Sequence, residues 1–103
     1  MVWNVEFVNE KAKSEFVELP QELLARGTRI IELLERKGNA VGEPHTKNIG
    51  DGLFEIRIKA SNRIARSIYC YEVNKRIIVL LTFIKKSNKI PKNMLDLAKI
   101  KGF

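Results

Sequence analysis

The chain has 103 residues, of which 45% are hydrophobic, and this size suits one compact domain over residues 1–103. It contains no run of about 20 apolar residues and no signal-peptide pattern, so we expect a cytoplasmic protein without a membrane span. One cysteine and one histidine exclude an internal disulfide and argue against a closed zinc site. We therefore expect no metal and no cofactor.

The net charge of +7 is unevenly distributed along the chain. Residues 1–52 contain 7 Lys and Arg against 9 Asp and Glu, whereas residues 53–103 contain 12 against 3. Such segregation favours a basic face that binds a polyanion, and nucleic acid is the expected ligand. The alternative is that the charge serves only solubility.

The first half of the sequence predicts one strand and two helices. Residues 2–8 alternate between apolar and polar side chains, as in a half-buried strand. Asn9 is a suitable N-cap for a short helix, and Pro20 is a suitable start for a second one. Apolar residues then recur every three or four positions until Gly38, which favours the end of a helix. We expect these helices to pair against one sheet face and the Gly- and Pro-rich residues 38–52 to be irregular.

The second half predicts three antiparallel strands over residues 53–59, 64–73 and 77–84, followed by a helix that begins at Pro91. The first strand alternates most clearly and places two sets of side chains on opposite faces: Phe54, Ile56 and Ile58 towards a core, and Glu55, Arg57 and Lys59 towards solvent. The last strand is apolar on both faces and should be central.

Together these elements predict an α+β fold with the order βααβββα. The N-terminal strand is added to an antiparallel three-stranded meander, and two helices pack on one face of the sheet. A short helix ends the chain. The other sheet face is expected to be exposed and to carry Arg57.

Three segments resemble motifs of the RelE/HigB toxin superfamily, especially its phage-derived, HigB-like branch. DGLFEIR (51–57) resembles a glycine-leucine-aromatic-glutamate-leucine-arginine motif, and ARSIY (65–69) resembles the arginine strand. FIKKSNKIP (83–91) resembles the paired-lysine and proline segment before the last helix. Ala65 and Ser87 replace a usual aromatic residue and a usual threonine, and neither change removes a charge.

The resemblance implies a RelE-like fold and the toxin of a type II toxin–antitoxin system. Such a toxin is an endoribonuclease that cuts messenger RNA, usually on the ribosome, and so inhibits translation. Its partner would be a HigA-like helix-turn-helix antitoxin. RNA can be cut without a metal when its 2′-hydroxyl attacks the adjacent phosphorus, provided that the enzyme transfers protons and stabilises the phosphorane. The general base and acid stay open.

Four basic residues are the catalytic candidates that the motifs imply. Arg57 and Arg66 lie on predicted strands, where a guanidinium can bind two phosphate oxygens. The alternative for Arg57 is a solvated surface arginine, for instance one paired with Glu55. The alternative for Arg66 is an arginine at the edge of the core. Lys85 and Lys86 follow an apolar strand, and one of them should reach the scissile phosphate, unless both only protect the strand end from aggregation.

The remaining candidates are expected to bind RNA or the ribosome. Lys59, Arg63 and Lys89 would contact phosphates irrespective of sequence. Tyr69 could stack on a base or belong to the core, and His45 could bind RNA, act as an acid or base, or be an ordinary surface histidine. Cys70 is expected to be a small core residue, and Glu55 to orient Arg57, although a base role is conceivable.

Two other functions remain open at this point. One is a non-catalytic basic module that binds RNA or DNA. The other is an interaction subunit whose basic face contacts an acidic partner protein.

Overall fold

A five-stranded mixed sheet forms the centre of the structure, a computed structural model that describes residues 2–60, 62–85 and 92–101. In chain order the elements are β1 (Asn4–Phe7), α1 (Glu10–Val17), α2 (Gln21–Lys37), a single 3₁₀ turn (Gly38–Ala40), β2 (Thr46–Gly50), β3 (Leu53–Ala60), β4 (Arg63–Glu72), β5 (Arg76–Lys85) and α3 (Lys92–Lys101).

The strand order β1-β5-β4-β3-β2 confirms the predicted α+β fold. Strands β2 to β5 are antiparallel to their neighbours, and β1 joins β5 in parallel. Strand β5 lies between β1 and β4, which explains why its residues are apolar on both faces. Asn74 and Lys75, in the turn before β5, both have the positive φ angles that a tight hairpin requires.

One strand lies in a segment that was predicted to be irregular. Thr46–Gly50 forms β2, which pairs with β3 in a register that places Thr46 opposite Ile56. Most of its side chains are exposed, so no hydrophobic alternation marks it as a strand. Backbone hydrogen bonds to β3 hold this strand in the sheet, and such bonds leave no mark in the pattern of its side chains.

The two helices pack on one sheet face, as predicted. The Asn9 side-chain oxygen accepts a hydrogen bond of 2.8 Å from the Ala12 amide and so caps α1. Phe16 of α1 and the buried positions of α2 share one apolar core with the inward residues of β3 to β5. This core fixes the position of β3, which carries the first arginine motif.

The opposite face is less exposed than predicted. Leu53, Ile68, Cys70, Ile78, Leu80 and Leu81 form a second apolar cluster there with Ala98 of α3. A register irregularity between β4 and β5 places both Leu80 and Leu81 in this cluster. The expectation of an exposed face is wrong because α3 packs on these apolar outward positions. Cys70 is buried, as expected.

None of the helices among the described residues has the length and apolar composition needed to cross a membrane.

The end of α2 is joined closely to the start of the chain. Gly38 has φ 53°, and its amide donates a hydrogen bond to the Leu34 carbonyl. The Trp3 amide donates to the Glu35 carbonyl over 2.7 Å. A β-carbon added at Gly38 would overlap the Trp3 ring, which packs edge-on against Tyr71. Only glycine satisfies both the backbone angle and this contact.

We expect Gly38→Ala to lower the free energy of unfolding by about 3 kcal/mol, because overpacking and a left-handed backbone both penalise the added methyl. Gly42→Ala is the matched control, since a β-carbon there meets nothing within 4 Å, and its effect should stay under about 1 kcal/mol. Urea unfolding of both variants measures the difference. Equal midpoints for the two variants would contradict the contact.

Candidate functional site

The two motif arginines meet on neighbouring strands, where one carboxylate joins them. Arg57 on β3 is paired directly with Arg66 on β4. Glu55 lies two residues before Arg57 and therefore on the same sheet face. Its Oε1 accepts a hydrogen bond of 3.1 Å from Arg57 Nε and one of 2.5 Å from Arg66 Nη1. The structure thus brings together three residues that lie in two separate motifs.

The three side chains differ in their access to solvent. Glu55 and Arg66 are 1% and 6% exposed, whereas the side chain of Arg57 retains 27% exposure. The expectation that Glu55 faces solvent is therefore wrong, because the second apolar cluster covers that part of the face. Of these three side chains, Arg57 is the one with enough exposure to present its guanidinium to a ligand.

Part of the hydrogen-bonding capacity of this group is unused. Among the described residues, neither Glu55 Oε2 nor Arg66 Nε has a hydrogen-bond partner. Each buried polar atom left in this state costs about 1–3 kcal/mol. Arg57 Nη1 lies 3.8 Å from a carboxylate oxygen of the exposed Glu43, which is a weak contact. Within the described part of the chain, the terminal nitrogens of Arg57 make only this weak ion pair and remain available to an anion.

Two further positions extend this arrangement along the sheet. Arg66 pairs with Phe83 on β5, and the next row of the backbone register joins Lys59 through Ile64 to Lys85. Lys85 ends β5 at the same end of the sheet as the arginines. Lys86 and Lys89 lie outside the described residues, so their roles remain predictions.

A basic cleft adjoins Arg57 at the edge of the sheet. It has a volume of about 300 Å³ and contains five basic side chains: Arg26, Arg29, His45, Arg57 and Lys59. Ile30 and Pro44 supply its apolar surface. The Arg57 amide donates a hydrogen bond of 2.9 Å to the His45 carbonyl, which holds the two residues side by side. The predicted RNA-binding residues His45 and Lys59 are thus brought next to the predicted catalytic Arg57.

The sequence analysis missed Arg26 and Arg29. Both lie within residues 1–52, where acidic residues outnumber basic ones, so the net charge of that half conceals them. Their spacing of three residues places both on one side of α2, and this signal could have identified them.

The other two binding candidates lie elsewhere. Arg63 is exposed at the β3–β4 hairpin and lines a separate cleft with Pro20 and Glu22. Tyr69 is fully buried in the core beneath the helices. Of the two alternatives for this residue, the core position is therefore confirmed and stacking on a base is wrong. It follows Arg66 by three residues, an odd spacing that places it on the opposite sheet face. Burial raises the pKa of its hydroxyl above the usual range.

Comparison with known proteins agrees with the family resemblance of the three motifs. The family model described as "Phage derived protein Gp49-like (DUF891)" matches residues 14–101. A crystal structure of an archaeal RelE–RelB complex from Pyrococcus horikoshii OT3 contains a chain with a similar fold, at a TM-score of 0.56 and 19% identity. The match covers 80% of this chain and 93% of that one. No curated protein matches the sequence significantly.

The burial of Arg66 predicts that it also stabilises the fold. Arg66→Ala leaves Glu55 buried with only Arg57 as a partner and should lower the free energy of unfolding by about 3 kcal/mol. Arg57→Ala removes a half-exposed partner and should cost about 1 kcal/mol or less. Urea unfolding compares the two.

A double variant provides the control for this prediction. Glu55→Gln with Arg66→Met removes both charges while keeping similar volumes, and it should regain most of the stability that Arg66→Ala loses. If Arg66→Ala is as stable as the parent protein, the buried ion pair is absent in solution.

Proposed function

Because the chain belongs to the Gp49-like family of phage-derived proteins and has a RelE-like fold, we propose that it is the toxin of a type II toxin–antitoxin system. Its activity would be that of a metal-independent endoribonuclease that cuts messenger RNA on the ribosome, in the cytoplasm, and inhibits translation. The observation that carries this proposal is the arginine pair held by the buried Glu55, beside a basic cleft.

Arg57 is the residue that we assign to the scissile phosphate. Its Nε is engaged by Glu55, which fixes the plane of the guanidinium and leaves the terminal nitrogens for two phosphate oxygens. A cation held on a rigid strand stabilises the extra negative charge of the phosphorane without reorganising at the moment of reaction. Arg66 holds Glu55 from the neighbouring strand β4 and adds a second positive charge.

The reaction needs two proton transfers. The 2′-oxygen bonds to phosphorus as its proton leaves for a base, and the bond from phosphorus to the 5′-oxygen breaks as that oxygen receives a proton from an acid. The products are a 2′,3′-cyclic phosphate and a free 5′-hydroxyl. We assign these transfers to Lys85 or Lys86, the paired lysines of the third motif, because a lysine side chain can donate or accept a proton. His45 is the alternative, because it lines the same cleft as Arg57.

The partner would be an antitoxin. The matched archaeal structure is a complex of RelE with RelB, and the resemblance favours a HigA-like helix-turn-helix protein for this chain. Its gene is expected beside the gene of this protein.

Expression of this protein alone should stop growth and cut messenger RNA within coding regions, and co-expression of the antitoxin should restore growth. In single-turnover assays on programmed ribosomes, Arg57→Ala should lower the saturated cleavage rate by about 10²–10³-fold, the typical loss for one oxyanion-stabilising donor. Arg36→Ala, at an exposed site on α2 outside the cleft, should leave the rate unchanged.

Two results would contradict this function. Normal growth and intact transcripts at confirmed soluble expression would remove the toxin assignment. Binding to RNA without cleavage would favour the alternative of a non-catalytic module that binds RNA or DNA.

The lysine variants separate chemistry from docking. Lys85→Ala or Lys86→Ala should lower the saturated cleavage rate if that lysine transfers a proton, whereas loss of a docking contact weakens ribosome binding and leaves the saturated rate unchanged. Cleavage measured over a range of ribosome concentrations distinguishes the two effects. If both variants lose only affinity, the proton transfers belong to His45 or another group.

A further inference from the structure

The basic cleft exists because β2 is shorter than β3. The register between these strands ends at Thr46 and Ile56, and one further backbone hydrogen bond joins Arg57 to His45. Residues 58–60 of β3 have no strand neighbour on that side among the described residues. Helix α2 passes over this part of β3, where a β-carbon added at Gly27 would lie 2.9 Å from the Ile58 side chain. The absence of a side chain at Gly27 therefore lets the helix approach the strand closely.

This approach places cations from α2 opposite cations from β3. Arg26 precedes Gly27 directly, and Arg29 lies two residues after it, so both are carried towards Arg57 and Lys59. Arg26, Arg29 and Lys59 are exposed and take part in no ion pair within the described part of the chain. Like charges gathered in one cleft repel one another, and an anionic ligand would offset that repulsion.

We propose that this cleft binds the phosphate backbone of the RNA strand next to the scissile phosphate, with Arg26 and Arg29 as binding residues. The proposal rests on the proposed function, because it takes Arg57 as the contact to the scissile phosphate. Arg57 belongs both to the cleft and to the group around Glu55, so the two sites are continuous. A nucleic acid strand carries a charge at every nucleotide, and the strand that leaves Arg57 would meet these cations next.

The apolar part of the cleft supports a nucleotide as the occupant. Ile30 and Pro44 lie among the cations, and the His45 ring lines the same space. A nucleotide base has the flat face that such residues contact, and the phosphate has the charge that arginine binds bidentately. The volume of about 300 Å³ lies at the lower end of the range for small-ligand sites.

The test measures binding separately from cleavage. The probe is a fluorescent single-stranded oligoribonucleotide whose 2′-hydroxyls are methylated, which prevents the attack on phosphorus. Anisotropy titrations over a salt series compare the parent protein with the double variant Arg26→Ala/Arg29→Ala. We expect the double variant to bind about tenfold more weakly and its logarithmic salt slope to be smaller by about 1.4, since each phosphate contact on a single strand contributes about 0.7.

The matched control is Arg36→Ala/Lys37→Ala. It removes the same charge from the same helix, and both residues are exposed and outside the cleft. Urea unfolding establishes that both double variants are folded. Equal losses of affinity in the two would show that only net charge matters and would overturn the proposal, as would unchanged RNA binding in Arg26→Ala/Arg29→Ala.

The test distinguishes a failure of the cleft proposal from a failure of the proposed function. If the parent protein cleaves no RNA but the cleft variant loses the expected affinity and slope, the nuclease assignment fails, and the cleft is an RNA-binding site with no scissile phosphate beside it. If the cleft variant binds RNA normally but no longer binds the co-expressed antitoxin, the occupant is an acidic segment of a protein and the RNA proposal is overturned.

Discussion

The buried ion pair between Glu55 and Arg66 is the interaction on which the site depends. Both side chains are almost inaccessible to solvent, so each charge is tolerated only because the other lies beside it. The pair joins β3 to β4 across their outward face, at the border of the second apolar cluster. Since Glu55 also accepts a hydrogen bond from Arg57, the contact that satisfies a buried charge also orients the half-exposed guanidinium.

The charge of this group would favour an anionic ligand. Two guanidinium groups share one carboxylate, so the trio keeps one positive charge, and the side chain with solvent access is the cation Arg57. A lysine at position 66 would offer no planar fork and would tolerate burial poorly. Arginine there can remain charged while it supports the acid, and the group stays positive towards solvent.

The fold could be predicted from sequence because alternation and capping are local signals. Asn9, Gly38 and the alternating residues of β3 mark their elements without reference to the rest of the chain. Strand β2 could not be predicted, since its partner and not its own side chains stabilises it. Glu55 follows the alternation correctly but is buried, because burial depends on what covers a face and alternation only assigns the face.

The candidate site was predictable to a similar degree, and for related reasons. Arg57 and Arg66 stand in recognisable motifs, but their meeting on one carboxylate depends on the register of β3 with β4. The core position of Tyr69 follows from its odd spacing from Arg66, which puts the two side chains on opposite faces of the sheet.

The basic cleft could not be predicted from the sequence, because it depends on how a helix and a strand pack together. It requires an edge of β3 that β2 leaves open and a helix that approaches closely at Gly27. The first condition is that β2 does not extend along the end of β3, and the second is that Gly27 has no side chain. Arg26 and Arg29 of α2 lie close to Arg57 only when both conditions hold. Charge summed along the chain therefore indicates an anionic ligand, while the packing of α2 on β3 determines where that ligand can bind.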